Sequence, residues 1–329
     1  MSNFPWKKQK EAYKDALNYI KGRQQGTITS MRTSWEKFND ATIDGLEWQS
    51  TTIIAGRPGT GKSLIKDQLV REFFPLNQNT NFGVLNFELE MVGQVSAIRD
   101  FSAVADKTYK QLCSAGEIIS DDIIKLCHEH AKIVTKLPID VVDTPCTVNE
   151  IVEIVTMWFE ANAKMNGQVK IYRPGIVTLD HSILVTKAPF EKDVNDMLYN
   201  LGAAITKLKK KYPIIWIILS QLNRDVEKPE RNEDGKYGNY INDMDVFGAD
   251  ALLQHADTVV GFNRPGKRGI RFYGTDQYII ENENVLVAHF LKARNGDVRM
   301  SFFRAEFHKM SITEMATPAQ RQKKNFSKP

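Results

Sequence analysis

Eight consecutive residues constrain this chain most: Gly56-Arg57-Pro58-Gly59-Thr60-Gly61-Lys62-Ser63. They fit G-x-x-x-x-G-K-[ST], the loop whose backbone N–H groups converge on phosphates. Lys62 can reach the terminal phosphates as a point charge, and the Ser63 hydroxyl is placed to hold Mg²⁺. The flanks agree. Thr52-Ile53-Ile54-Ala55 is a short apolar strand running into the loop. Leu64, Ile65, Leu69 and Val70 follow at helical spacing, so the loop opens a helix whose N-terminus faces the anion. These residues imply a nucleoside triphosphate site, with ATP and Mg²⁺ as the ligands.

The chain has 329 residues, of which 42% are apolar, enough for one large α/β domain with additions. No apolar run approaches the ~18 residues that span a bilayer. Met1 to Lys10 is polar and lacks a signal-peptide apolar region. The expectation is a cytoplasmic protein, without a membrane partner. Three cysteines, Cys113, Cys127 and Cys146, are too few and too widely spaced for a disulfide framework. Cys127-His128-Glu129-His130 lacks a second ligand cluster and reads as part of a helix. The net charge is +4, and the last thirteen residues hold Arg321, Lys323, Lys324 and Lys328 with no acid. The body is therefore near neutral, and any nucleic-acid contact must come from local patches.

In chain order, residues 5–23 read as an exposed helix with Trp6, Tyr13, Leu17 and Ile20 on one face. Gln24-Gln25-Gly26 reads as a linker. Strands are expected at Phe82–Phe87, Ile139–Asp143, Gly175–Asp180, Ile214–Leu219, Asp257–Phe262, Val285–Leu291 and Met300–Phe307. Helices are expected around Gln94–Ala105, Asp121–Val134, from the capping box Thr147-Val148-Asn149-Glu150 to Ala163, and over 193–211. The lysines at 207 and 209–211 read as a solvated helix end. Residues 223–245 read as a long polar loop. The β-α-β-α alternation predicts an α/β fold: a mainly parallel central sheet flanked by helices, with late strands forming an antiparallel edge extension.

Hydrolysis of a triphosphate needs a metal clamp, an activated water and positive charge on the transition state. In such sheets these groups collect at the carboxyl ends of strands. Asp180 is the natural second anchor for Mg²⁺, through water. Glu88 or Glu90 could polarise the attacking water, and strand alternation puts both on one face. Gln221 ends the most apolar strand and could sense the γ-phosphate. Lys292 and Arg294 end a later strand, two apart, and could serve a nucleotide on a neighbouring chain.

With these residues in place, the chain resembles the ATPase domain of the ring-shaped DnaB-type replicative DNA helicases. Gly56–Ser63 looks like their nucleotide loop. Phe87-Glu88-Leu89-Glu90-Met91 is similar to their F-S-L-E-M segment, and that similarity selects Glu90 as catalytic base. Asp143-Thr144-Pro145 resembles the end of D-D-T-P, and Ile176–Asp180 the strand with the second metal-site Asp. Ser220-Gln221-Leu222-Asn223-Arg224 repeats S-Q-L-N-R, and Gln254-His255-Ala256-Asp257 resembles Q-D-A-D. Lys292-Ala293-Arg294-Asn295-Gly296 resembles K-Q-R-N-G, the element that reaches the adjacent subunit's nucleotide.

The resemblance runs from about Thr29 to Met310. It implies a RecA-like fold and a homohexamer that threads single-stranded DNA during replication. It also implies a primase or helicase loader as partner. The expected division is an arm and linker over 1–27, the ATPase domain over 28–316 and a basic, disordered tail over 317–329.

Three features depart from the family. The expectation is that the family's N-terminal helical domain, which meets primase, has no room ahead of the arm, a compact plan that would suit a phage or mobile-element member. His181 stands where Tyr is common. The R-E-S-G contact to DNA becomes Phe247-Gly248-Ala249-Asp250, which loses the basic residue and carries an acid at its fourth position. Phe247, Gly248 and Ala249 could still bind phosphates through backbone N–H groups, and Lys187, Lys192, Arg231 and Lys236 are further candidates for DNA. A RecA-like ATPase acting in recombination or assembly without unwinding is the alternative reading.

Overall fold

The computed structural model describes residues 6–116 and 118–321. The apolar run Ile214–Leu219 lies at its centre, in strand β7 (Ile214–Gln221). Along this strand Trp216 and Ile218 join one core cluster, and Ile215, Ile217 and Leu219 join another. The sheet is thus covered on both faces, which is why the strand reads as continuously apolar rather than alternating.

The other strands of this sheet are β1 (Thr51–Gly56), β2 (Gly83–Glu88), β3 (Ile139–Val142), β6 (Gly175–Asp180), β8 (Thr258–Asn263), β11 (Val285–Ala293), β12 (Met300–Glu306) and β13 (Ser311–Met315). Their order is β13-β12-β11-β8-β1-β7-β6-β2-β3. The six from β8 to β3 are parallel, and β11, β12 and β13 continue antiparallel at one edge. This is the expected α/β architecture, a mainly parallel sheet with an antiparallel extension. Two hairpins lie outside it, β4 (Lys164–Asn166) with β5 (Val169–Ile171), and β9 (Phe272–Tyr273) with β10 (Tyr278–Ile279).

The helices are α1 (Gln9–Gln24), α2 (Glu36–Ala41), α3 (Lys62–Leu76), α4 (Gly93–Ala105), α5 (Tyr109–Cys113), α6 (Asp121–Val134), α7 (Val148–Ala161), α8 (Val194–Lys211) and α9 (Ala249–Leu253). Helix α7 starts at the expected capping box, with the Glu150 N–H donating to Thr147 Oγ1 and the Thr147 N–H to Glu150. Its Ile151, Val155 and Phe159 pack with Leu198, Leu201, Ile205 and Leu208 of α8 on one sheet face. On the other face α3 contributes Leu64, Ile65, Leu69 and Phe73. No helix among the described residues is long and apolar enough to cross a membrane.

Three expectations change. The α8 lysines are not all solvated: Lys209 is buried and pairs with Asp257. The 223–245 loop contains four one-turn helices and is pinned from inside. The tail boundary at Thr317 cuts through ordered chain. The Ile279 N–H donates to the Ala319 carbonyl, Gln320 bridges to Tyr278, and the Arg321 guanidinium lies 4.8 Å from the Phe272 ring centre. Lys323, Lys324 and Lys328 lie outside the described residues. At the other end, α1 is held by Arg23, which donates to Ser30 Oγ and pairs with Asp44. The helix starts at Gln9 rather than near residue 5, so Trp6 precedes it; Tyr13, Leu17 and Ile20 on the helix, and Trp6 before it, are exposed.

Candidate nucleotide site and nucleic-acid interface

Gly56 ends β1, and the chain turns back over it before α3 begins. Gly59 and Gly61 have φ of 76° and 92°, in the left-handed region that favours glycine. The turn is closed by Thr60, whose hydroxyl donates to the Arg57 carbonyl at 2.6 Å. Arg57 is held away from the loop, donating to the Leu222 carbonyl and Glu227. Pro58, with no N–H of its own, lines the rim. The first ladder bond of α3 runs from the Ile65 N–H to the Gly61 carbonyl. The N–H groups of the first turn therefore remain free for an anion. The Lys62 ammonium donates to the Gly56 carbonyl at 3.0 Å. Burial pushes its pKa down, while Asp180 and Glu90 pull the other way.

The loop opens on a cavity of about 610 Å³ lined by Lys62, Ser63, Glu90, His181, Gln221 and Phe307, among others. That volume is in the range of small-molecule and cofactor sites. Gln221 arrives there because β7 pairs with β1 in the register Gly56↔Gln221. Asp180 ends β6 beside Glu88 of β2. It is buried, and neither of its carboxylate oxygens has a hydrogen-bond partner. A buried carboxylate left unsatisfied in this way is costly unless something completes it. Ser63 lines the cavity, and Ser63 and Asp180 are the residues that would hold an Mg²⁺ ion, which would supply positive charge at the phosphate oxygens.

The expectation that Glu88 and Glu90 share a face does not hold. Strand β2 ends at Glu88, so its alternation does not extend to Glu90. Glu88 is buried with the Lys66 ammonium 2.5 Å away, whereas Glu90 is exposed and lines the nucleotide-sized cavity. His181 is also buried on that cavity with Nδ1 unpartnered. Burial lowers its pKa, against the pull of Asp180 and Glu90.

Arg264, Lys267 and Phe307 join the site without any signal in the sequence. Arg264 donates to the Gly59 carbonyl at 3.2 Å and lies 4.2 Å from the Phe307 ring centre. Lys267 lies against Gly59, and with Arg264 it lines a second cavity of about 390 Å³ behind the loop. Their positions follow from the pairing of β8, β11 and β12, and no local pattern announces them.

Lys292 and Arg294 are not with the others. Strand β11 is antiparallel, so its carboxyl end lies where the parallel strands begin. Ala293 is opposite Thr258, and Thr258 is opposite Thr52, at the start of β1. Four residues of strand, ~13 Å, separate this end from Gly56. There Lys292 donates to the Leu253 carbonyl, and Arg294, half exposed, lies 2.9 Å from Asp257. A β-bulge between Phe290 and Lys292 interrupts the regular alternation.

The DNA candidates divide. Arg231 is tied inward: it pairs with Asp245 at 2.5 Å and donates to the Gly238 and Tyr240 carbonyls. It pins the 223–245 loop and is not available to DNA. Lys236 is exposed beside Glu233, Lys192 is exposed, and Lys187 donates to the Glu191 carbonyl. The Phe247 N–H is taken by the Gln221 carbonyl at 2.8 Å, which removes it as a phosphate donor. Gly248 has φ of 66° and precedes α9, which Ala249 begins.

No curated protein matches the chain. Among solved structures, it is similar to one described as an ATPase domain, with TM-score 0.74 and 16% identity, over 92% of this chain and 98% of that one. It is also similar to a chain from "The Structure Of A DnaB-Like Replicative Helicase And Its Interactions With Primase", with TM-score 0.68 and 16% identity. That match covers 86% of this chain and 63% of the other. At this identity both likenesses show the fold. The family model of the DnaB-like helicase C-terminal domain matches residues 30–312, most of the length, and the chain belongs to that family.

Proposed function

We propose that this protein is an ATP-driven DNA helicase motor that works in replication as a homohexameric ring on single-stranded DNA, in the cytoplasm. The observation that carries this reading is the division of the site between opposite ends of one sheet. Lys62, Ser63, Glu90 and Gln221 meet at one cavity, while Lys292 and Arg294 lie at the other end. A lone chain cannot bring the two sets together, but a neighbouring copy can.

In this reading the loop N–H groups and Lys62 bind the β- and γ-phosphates. Mg²⁺ supplies charge neutralisation at the phosphate oxygens when bound. Glu90 orients the attacking water and takes its proton. Gln221 contacts the γ-phosphate, and Arg294 of the adjacent copy, with Lys292, spreads positive charge over the transferred group. The bond from the Phe247 N–H to the Gln221 carbonyl joins this site to the segment that replaces the family's DNA contact. Lys187, Lys192, Lys236, Gly248 and Ala249 remain the candidates for DNA, and a primase or loader is the expected protein partner.

The test is ATP turnover with and without single-stranded DNA, alongside particle mass in ATP and Mg²⁺ and unwinding of a forked duplex. DNA-stimulated turnover by a six-copy particle that opens the fork is the expected result. Turnover indifferent to DNA, without unwinding, would replace this reading by that of a recombination or assembly ATPase.

A further inference from the structure

Behind Asp180 lies a charge cluster that the nucleotide chemistry does not explain. Lys66 is one helical turn past Lys62 and points into the sheet, where its side chain is completely buried. An ammonium inside a core is costly unless it is closely paired. Lys66 has three partners: Glu88 at 2.5 Å, Asp67 at 3.0 Å and Asp180 at 3.5 Å. Burial works against its charge, and the three carboxylates outweigh burial, so its pKa lies above the ordinary lysine range. Glu88 stands where the F-S-L-E-M segment has Ser, so the Lys66–Glu88 pair departs from that pattern.

Glu88 and Asp180 are register neighbours on β2 and β6, both buried. Two carboxylates so placed repel each other in a medium of low dielectric. The Lys66 ammonium sits between them. It hydrogen-bonds Glu88 and faces Asp180 Oδ2 at 3.5 Å as an ion pair without a hydrogen bond, which leaves Asp180 Oδ1 with no contact to the ammonium. Asp180 is thus held electrostatically through Oδ2, while Oδ1 stays open to a further partner. Metal sites gain much of their affinity from such outer groups.

We infer that Lys66 is a positioning residue: it holds Asp180 toward the cation site beside Ser63 and so sets the affinity for the divalent cation that accompanies the nucleotide. This rests on the Mg²⁺–ATP reading above.

Three variants test it: Lys66→Met, Glu88→Gln and the double variant. Lys66→Met alone strands two buried carboxylates and is expected to melt early. The double variant removes one positive and one negative charge together, so its melting temperature without nucleotide should recover. Two quantities are then read, that melting temperature and the Mg²⁺ concentration needed for half-maximal binding of a fluorescent ATP analogue. The double variant should need ~10-fold more Mg²⁺ or beyond, the usual cost of losing an outer-shell partner. Glu88→Gln, which keeps the ammonium, should stay near wild type. A double variant that recovers both stability and the wild-type Mg²⁺ requirement overturns the inference and leaves Lys66 as a structural ion pair. Wild-type protein whose analogue binding ignores Mg²⁺ overturns the metal reading itself, and the inference with it.

Discussion

The Arg294 guanidinium lies 2.9 Å from Asp257, at the end of the sheet opposite to the phosphate loop. On the proposed reading this residue serves the nucleotide of a neighbouring copy. Arg294→Ala should therefore bind nucleotide normally and hydrolyse it ~10³–10⁵-fold more slowly, the usual contribution of such a group, or ~4–7 kcal/mol of barrier. Lys62→Ala should also lose turnover, through the loop. When the two inactive proteins are mixed, some interfaces pair an intact loop with an intact guanidinium. Activity should return in proportion to those interfaces. Mixtures that stay inactive, with subunit exchange shown by labelled chains, would count against the division of the site between copies.

The two strand-end glutamates are separable by their surroundings. Glu90→Gln should retain ATP binding and lose ~10²–10⁴-fold in turnover, since an amide cannot accept a proton from water. Glu88→Gln leaves the Lys66 ammonium facing Asp67 and Asp180, so its effect on turnover should be much smaller. Single-turnover rates with each variant decide the order, and the reverse ranking would move the base to Glu88.

Helix α1 carries Leu17 at 58% and Ile20 at 56% exposure, on the same face as Tyr13. We propose that this face docks on a neighbouring copy. Leu17→Gln with Ile20→Gln should then lower the mass of the assembly at a given concentration. The melting temperature of the chain and its nucleotide affinity should hardly change, because both side chains are exposed and lie outside the core clusters. Sedimentation across a dilution series measures this. Unchanged particle mass would exclude the docking.

Stability should depend on pH through His289. Burial depresses its pKa from the ordinary 6.5 to about 3, and its Nε2 is hydrogen-bonded to the Tyr273 hydroxyl at 2.7 Å. The unfolded chain takes up this proton below the ordinary value, while the folded chain resists it. Stability is therefore full above the unfolded pKa and falls as the medium is acidified toward the folded one. The slope is ~1.4 kcal/mol per pH unit, or ~2 kcal/mol between about pH 7 and about pH 5. His289→Gln should flatten this dependence when melting temperatures are compared at the two pH values. Parallel curves for wild type and variant would assign the acid sensitivity elsewhere.

How far the sequence can be read depends on how local each signal is. The loop, the apolar β7, the capping box of α7 and the strand ending at Asp180 are set by neighbours within a few residues, and each stands where expected. The Lys292–Arg294 end is legible as a strand end. Its place relative to the loop is not, because only the antiparallel pairing of β11 with β8 decides it. Arg231 reads as a free cation because its partner Asp245 is fourteen residues away across a folded loop. Lys66 gives no signal at all. It occupies an inward position of α3 that periodicity assigns to an apolar residue, and its three carboxylates come from α3, β2 and β6.

Placing the phosphate loop and the Arg294 guanidinium on opposite ends of one sheet also has a consequence for rate law. On the proposed reading, a chain diluted below its assembly threshold would still take up ATP but could not cleave it. Turnover per chain should therefore rise with protein concentration, steeply at first and then to a plateau once rings are complete. Newly made or unassembled chains would be idle by construction, with no inhibitor required.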